Sequence, residues 1–285
     1  MGNQDENTVN PPGSISLVTC SYQQVAFIEA TLRSVLDQGY AALEYIVIDG
    51  GSSDGSVDSI RRYADRLAYW ISEPDHGQSD ALIKGFARAH GDIQGWLCSD
   101  DLLLPGALQA VAAYFATHPG VDAVYGDAVW IDAAGYPLRP KKEPGFHRLA
   151  FLFDHNYIPQ PSMFWRRSLY ERVGGLDPNF HLAMDADLWE RFSRVTQIAH
   201  MPRYLSCMRY YSEQKTRALK PQGRVEDALI RARSRLARWP LQPMWRALAR
   251  AQRIASKALA GGYGATPTAD VTESLARYRI PATQR

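Results

Sequence analysis

Tyr45-Ile46-Val47-Ile48-Asp49-Gly50-Gly51-Ser52-Ser53-Asp54-Gly55-Ser56 reads as a strand, a glycine-bearing loop and the start of a helix. The run Tyr45–Ile48 is continuously apolar rather than alternating, which suits a strand covered on both faces. Asp49 ends it. The glycines allow a tight loop, and Asp54 is placed to cap a helix reaching Tyr63. Strand, loop and helix in this order form the repeating unit of doubly wound α/β sheets.

The same unit recurs on both sides. Upstream, Ile15–Thr19 is a short apolar run. Phe27, Ile28, Leu32, Val35 and Leu36 then recur at helical spacing, and Gly39 closes that helix. Downstream, Ala68–Ile71 predicts a third strand, Ala81–Ala89 a third helix closed by His90 and Gly91, and Ile93–Cys98 a fourth strand. Pro105 stands near the start of a further helix running to about Thr117. The alternation predicts βαβ units and a mostly parallel sheet. After Val121 the rhythm changes. Val121–Tyr125, Val129–Ile131 and Pro161–Trp165 read as strands, Ala134-Gly135 as a turn and Pro137–Gly145 as a loop. Asp185–Val195 reads as a helix with Leu188, Trp189 and Phe192 on one face. The expected fold class is α/β, a nucleotide-binding unit with a mostly parallel central sheet, followed by a mixed second half and a helical C-terminal extension. The expected boundaries are a loose tail over 1–13, one globular domain over 14–216 and an extension over 217–285.

Composition bounds the function classes. The 285 residues allow one large domain or two small ones. Hydrophobic residues make up 46% and charged residues 22%, which excludes disordered and low-complexity classes. A formal charge of +2 argues against a nucleic-acid partner. Cys20, Cys98 and Cys207 are too few and too scattered for a disulfide framework or a structural zinc site. They read as buried free thiols in a reducing compartment. The polar start, MGNQDENTVNPPGS, does not read as a secretory signal, and no apolar run reaches membrane-spanning length.

Charge is unevenly distributed. Arg217 to Lys257 holds eleven Lys or Arg against only Glu226 and Asp227, a local net of +9 that leaves −7 for the rest. The apolar residues of this segment predict two helices broken around Pro240 and Pro243. Two readings stand: helices packed on the domain with a solvated basic face, or a basic amphipathic surface attracted to anionic lipid.

Three constellations carry chemistry. Ser99-Asp100-Asp101 follows the fourth strand directly, and ligands of open α/β sheets bind beyond the carboxyl ends of strands. Two adjacent carboxylates there repel, and a divalent hard cation offsets that repulsion. The plain alternative is a turn before the next helix. Asp49 and the loop after it form the second constellation, suited to close approach of a ribose or base. The third is Met184-Asp185-Ala186-Asp187-Leu188-Trp189. There Asp185 reads as an N-cap, or as a general base if it stands beside a cation site.

Taken together the residues resemble glycosyltransferase family 2, the inverting transferases of GT-A fold. The markers run in family order: Val18-Thr19-Cys20-Ser21-Tyr22, Ser34–Gln38, the Asp49–Gly55 loop, Ser72-Glu73-Pro74-Asp75, Ser99-Asp100-Asp101, Gln160–Trp165, Gly174–Asp177 and Asp185–Trp189. The match covers about residues 14–216. The resemblance implies that Asp101 coordinates Mn²⁺ or Mg²⁺ and that Asp100 contacts ribose or donor sugar. It implies that Thr19, Ser21, Tyr22, Asp49 and Asp75 line the nucleotide, and that Asp185 is the base deprotonating an acceptor hydroxyl. The implied partners are a nucleotide-diphospho-sugar donor, UDP-linked, and a glycan or lipid-linked acceptor. The implied setting is surface-polysaccharide assembly in bacteria, cytoplasmic or peripheral at the inner membrane face.

Five positions depart from the family pattern. Gly50 replaces a second Asp, leaving the donor base open. Gln23 replaces Asn, Ile83 replaces Asn, and Met184 replaces Glu. Tyr210-Tyr211-Ser212 stands where many members carry a metal-side His. Two rival classes are a nucleotidyltransferase, whose basic glycine-rich loop after the first strand is missing here, and a non-catalytic nucleotide-binding module.

Overall fold

The computed structural model describes residues 13–212, 214, 219–263 and 269–280. All but Gly13 of the expected tail, and the expected boundary at 216/217, lie outside these. The elements in chain order are β1 (Ile15–Ser21), α1 (Ile28–Leu36), β2 (Leu43–Asp49), α2 (Ser56–Arg61), β3 (Tyr69–Ser72), α3 (Gln78–Phe86), β4 (Ile93–Trp96), β5 (Leu102–Leu103) and α4 (Ala107–Thr117). The second half holds β6 (Ala123–Ile131), β7 (Pro137–Lys141), α5 (Arg148–Phe153), β8 (Met163–Arg166), α6 (Arg167–Arg172), α7 (Met184–Val195) and β9 (Ile198–Arg209). Helices α8 (Lys220–Arg233), α9 (Gln242–Leu259) and α10 (Ala269–Leu275) follow.

One sheet runs in the order β3-β2-β1-β4-β8-β6-β9-β5, with β7 paired to β6. The first four strands are parallel throughout. The second half mixes hands: β8 is antiparallel to β4 and β6, whereas β9 runs parallel to β6. Every residue of β1 is buried, as a central strand with helices on both faces requires. Its alternation sorts the core. Ile15 and Leu17 join a cluster with α1 and α4, while Val18 and Cys20 join the cluster under α3 and α7. Gly85 lets α3 sit close on the sheet, because a Cβ there would lie 2.4 Å from Val18.

The second cluster centres on Trp96, Trp165 and Trp189. Trp96 and Trp189 stack at 5.3 Å, and Trp165 meets Trp96 edge-on at 5.6 Å. Trp189 pins α7 to the sheet one turn beyond Asp185. Ile230 of α8 and Ala249 of α9 are buried in this same cluster, and Leu275 of α10 in a smaller one with β9. The basic segment is therefore packed into the core.

Several boundaries differ from expectation. The strands read at Val121–Tyr125 and Val129–Ile131 are one strand, β6. Its pairing with β9 shifts register around Gly126 and Asp127, which breaks the period seen in sequence. The loop over Pro137–Gly145 contains the edge strand β7, where Pro137 and Pro140 are tolerated because only β6 pairs with it. Helix α3 begins at Gln78 rather than Ala81, since its polar first turn carries no apolar signal. The strand read from Pro161 begins at Met163, after a 3-10 turn that accommodates the proline. β5, α5 and β9 were not expected from the sequence.

Candidate active site

The parallel strands end together, and their loops form the first half of the site. Asp101 is 6% exposed. Its Oδ1 accepts the Arg209 backbone N–H at 2.9 Å, and Oδ2 takes no hydrogen bond among the described residues. Thr31 of α1 donates to the carbonyls of Ser99 and Asp101, at 2.8 Å each, and so fixes the backbone of the loop. Asp100 accepts a hydrogen bond from the Tyr211 hydroxyl at 2.9 Å. The buried Arg209 spends Nε on the Asp100 carbonyl and Nη1 on the carbonyls of Asp132 and Ala133, rather than on the two carboxylates. Burial raises the Asp100 carboxyl above its ordinary range. Burial and then the Asp100 charge push Asp101 well above it. Cys98 Sγ and a carboxylate oxygen from each of Asp100 and Asp101 lie within 4.8 Å of one another. Carboxylates pressed together without a directly paired cation are suited to a divalent ion, and these residues could hold one.

The expected nucleotide-lining residues divide into two groups. Thr19 is fully buried and hydrogen-bonded to the Tyr45 hydroxyl at 2.9 Å. Asp49 is fully buried as well. Its Oδ2 accepts from the N–H groups of Gly51 (3.1 Å) and Ser52 (2.8 Å) and from the Ser72 hydroxyl (2.7 Å), and its Oδ1 accepts from the Ser52 hydroxyl. Both side chains are thus spent inside the protein. Both are 0% exposed, so their visible role is to hold the end of β1 and the loop after β2 in place. Ser21 is buried with an unpartnered hydroxyl, Tyr22 is 60% exposed and Asp75 is half-buried. Gly50 lies against the Asp75 side chain: a Cβ there would come within 2.7 Å of Asp75 Oδ2, so any side chain at 50 would displace that carboxylate. Asp75 therefore fills the space beside the residue that departs from the family pattern, and it also accepts the Gly77 N–H at 2.7 Å.

Asp185 heads the second half, on the first turn of α7. Its Oδ2 accepts from Asn156 Nδ2 at 2.9 Å, and its Oδ1 from the Ala186 N–H at 2.8 Å. Burial, with a contribution from the Asp227 charge, raises it to about 6. Asp227 belongs to α8. Its neighbour Glu226 is buried and accepts the N–H groups of His181, Leu182 and Ala183, which fixes from another element the segment that leads into α7. A small cavity beside Asp185 is lined by His155, Asn156, Asp227 and Arg231. The segment 156–160 links the halves, because Gln160 donates to the Trp96 carbonyl and its Oε1 lies 3.6 Å from Cys98 Sγ.

The matching family model is that of glycosyl transferase family 2, over residues 16–174. This chain belongs to glycosyltransferase family 2. An uncharacterized glycosyltransferase of Mycobacterium tuberculosis is 32% identical over 194 residues, covering 65% of this chain and 70% of the relative. The O-antigen biosynthesis protein RfbC of Myxococcus xanthus is 30% identical over 76% of this chain and 17% of its own much longer one. Among solved structures, S. aureus TarS 1-349 in complex with UDP-GlcNAc superposes with TM-score 0.62 at 14% identity, covering 95% of this chain and 82% of that one. Mannosyltransferase PcManGT from Pyrobaculum calidifontis, in complex with GDP-Man and Mn²⁺, gives 0.59 at 20% identity with the same coverage. The family 2 transferase described here therefore has the GT-A fold of those enzymes.

Several residues important to the site were missed in the sequence. Arg209 and Thr31 carry no motif. Asn156 lies in an irregular loop. Glu226 and Asp227 did carry a signal, being the two acids of a strongly basic stretch. Trp165 is core, and Lys84 pairs with Glu73 and Asp80 on the helix face.

Proposed function

We propose that this glycosyltransferase moves a sugar, with inversion, from a nucleotide-diphospho-sugar, UDP-linked, to an acceptor hydroxyl. The observation that carries the reading is the pairing of Asp100 and Asp101 just after β4, with Cys98 Sγ and one oxygen of each carboxylate within 4.8 Å of one another. Asp101, with Asp100, would hold Mn²⁺ or Mg²⁺, which when bound supplies positive charge to the departing diphosphate. Asp185 accepts the proton of the acceptor hydroxyl as its oxygen attacks the anomeric carbon. A carboxylate titrating near 6 is largely ionised at neutral pH yet more basic than an exposed one. Asn156 and the Ala186 N–H orient it. Asp75, Ser21 and Tyr22 face the nucleotide, with Thr19 and Asp49 holding the strands and loop behind them.

In this reading the transferase unit spans 14–216 and 217–285 is an extension, whose described helices α8, α9 and α10 pack against the unit through Ile230, Ala249 and Leu275. Its outer face carries Trp239, Leu241, Met244 and Leu248, all exposed, among Arg235, Arg238, Arg246 and Arg250. That pattern supports peripheral contact with anionic lipid, and no helix among the described residues is long and apolar enough to cross a membrane. A glycan or lipid-linked acceptor for a surface polysaccharide fits this placement, and the RfbC relative supports it. Calorimetric titration of UDP, dTDP, GDP and CDP, each with Mn²⁺ and with EDTA, tests the reading. Metal-dependent binding of one nucleotide, lost in Asp101→Ala, is expected. Binding of none would overturn it.

A further inference from the structure

We propose that Cys98 supplies a thiolate to the cation site headed by Asp101, making a mixed sulfur and oxygen donor set with Asp100. The proposal rests on reading the Asp100–Asp101 cluster as a metal site, and it concerns a residue that a metal reading of the carboxylates does not require.

The placement follows from the sheet. β1 and β4 pair in parallel with Val18 opposite Trp96. Two residues further on, past the end of β4, the chain reaches Cys98 and then turns into Ser99-Asp100-Asp101. Cys98 is half-buried, and it packs partly against the cluster under α3 and α7. Its sulfur lies between two neutral amides: Gln78 Nε2 donates to it at 3.3 Å, and Gln160 Oε1 is 3.6 Å away. Neither amide supplies charge. The sulfur is within 4.8 Å of ligand atoms from both carboxylates. Asp101 is more than nine-tenths buried, and the hydrogen bond its carboxylate takes among the described residues is from the Arg209 backbone N–H to Oδ1. The Tyr211 hydroxyl is engaged with Asp100. Cys98 is the remaining ligand-bearing side chain of the cluster.

A thiolate changes which ions the site selects. Oxygen-only sites suit Mg²⁺ and Mn²⁺, whereas a sulfur donor favours softer ions such as Co²⁺, Zn²⁺ and Cd²⁺. The site is thereby biased away from Mg²⁺.

Co²⁺ titration of the full chain, followed by near-ultraviolet absorption, reads the sulfur donor directly. A sulfur-to-cobalt charge-transfer band is expected in the wild type and in Cys20→Ser. It is expected to vanish in Cys98→Ser and in Asp101→Asn. Cd²⁺ affinity should fall about 10-fold or more in Cys98→Ser, with Mn²⁺ binding, read by electron paramagnetic resonance, much less affected. Mn²⁺ binding by the wild type without a cobalt band would overturn the proposal and leave the metal reading intact. A band lost in Cys20→Ser but kept in Cys98→Ser would overturn it equally. Failure of every ion to bind would overturn the metal reading and this proposal together. Circular dichroism of each variant separates loss of a ligand from loss of fold.

Discussion

The two halves of the site are held by different means. On the donor side, Asp49 is fixed by Ser52 and Ser72 and the Ser99–Asp101 backbone by Thr31, all from the first half of the chain, while Arg209 and Tyr211 at the end of β9 supply the side-chain contacts of Asp100 and Asp101. On the base side, Asp185 is held by residues distant in sequence. Asn156 comes from an irregular loop, and Glu226 and Asp227 from a helix after the family-matched region. The frame of the nucleotide-binding half is thus built mostly from contiguous units and completed by Arg209 and Tyr211 from the end of β9, whereas the half facing the acceptor is assembled almost entirely from the segments that follow. The basic C-terminal helices take part in that assembly, since α8 both fixes the segment leading into α7 and adds negative charge near its base.

The sharpest break between the halves comes from Asp101→Ala. It should reduce metal-dependent nucleotide binding by more than about 100-fold, beyond what loss of a supporting residue around a metal costs. Calorimetry with and without Mn²⁺ measures it, and retained binding would remove Asp101 from the donor half. Asp185→Asn should do the reverse, leaving nucleotide affinity unchanged while transfer falls by about 10²–10⁴-fold. Lost donor binding at unchanged stability would merge the two halves into one.

Glu226→Ala strips a carboxylate from three backbone N–H groups at the start of α7. A loss of about 1–3 kcal/mol in urea unfolding is expected, with transfer reduced and nucleotide binding kept. Unchanged stability would show that α7 does not depend on α8. Asp227→Asn gives a finer effect. Burial keeps Asp185 near 6, so transfer should decline as pH falls below that value. Removing the like charge at 227 stabilises the ionised carboxylate and moves this acid limb to lower pH. A pH profile of kcat checks it, and an unmoved limb would uncouple the two groups. The smallest effect is expected at the outer face. Arg246→Gln with Arg250→Gln should weaken binding to anionic vesicles by about 1 kcal/mol per charge, read by flotation, with nucleotide binding unaltered. Both arginines are exposed, so this pair tests the surface without removing Ile230 and Ala249 from the core.

Legibility in the sequence followed this division. The loops at Asp49 and Ser99–Asp101 were readable because each strand, turn and helix is a contiguous unit whose periodicity and glycines show locally. β6 was read as two strands because its register with β9 slips at Gly126, a fact of pairing that no single strand reveals. β9 mixes His200, Pro202 and Arg203 among its apolar residues and gave no period at all.

The sequence by itself determined the α/β class, the four parallel strands, the carboxylates at the strand ends and the helix that carries Asp185, since each depends on hydrophobic period and turn chemistry within a few residues. Only the tertiary structure decided that Thr19 and Asp49 face inward, that Asp75 fills the space beside Gly50, and that Cys98 meets Asp100 and Asp101. It also decided that Glu226 reaches back to the segment leading into α7. These outcomes depend on which side chains share a small buried volume, and that is set by strand register and helix packing across the whole chain.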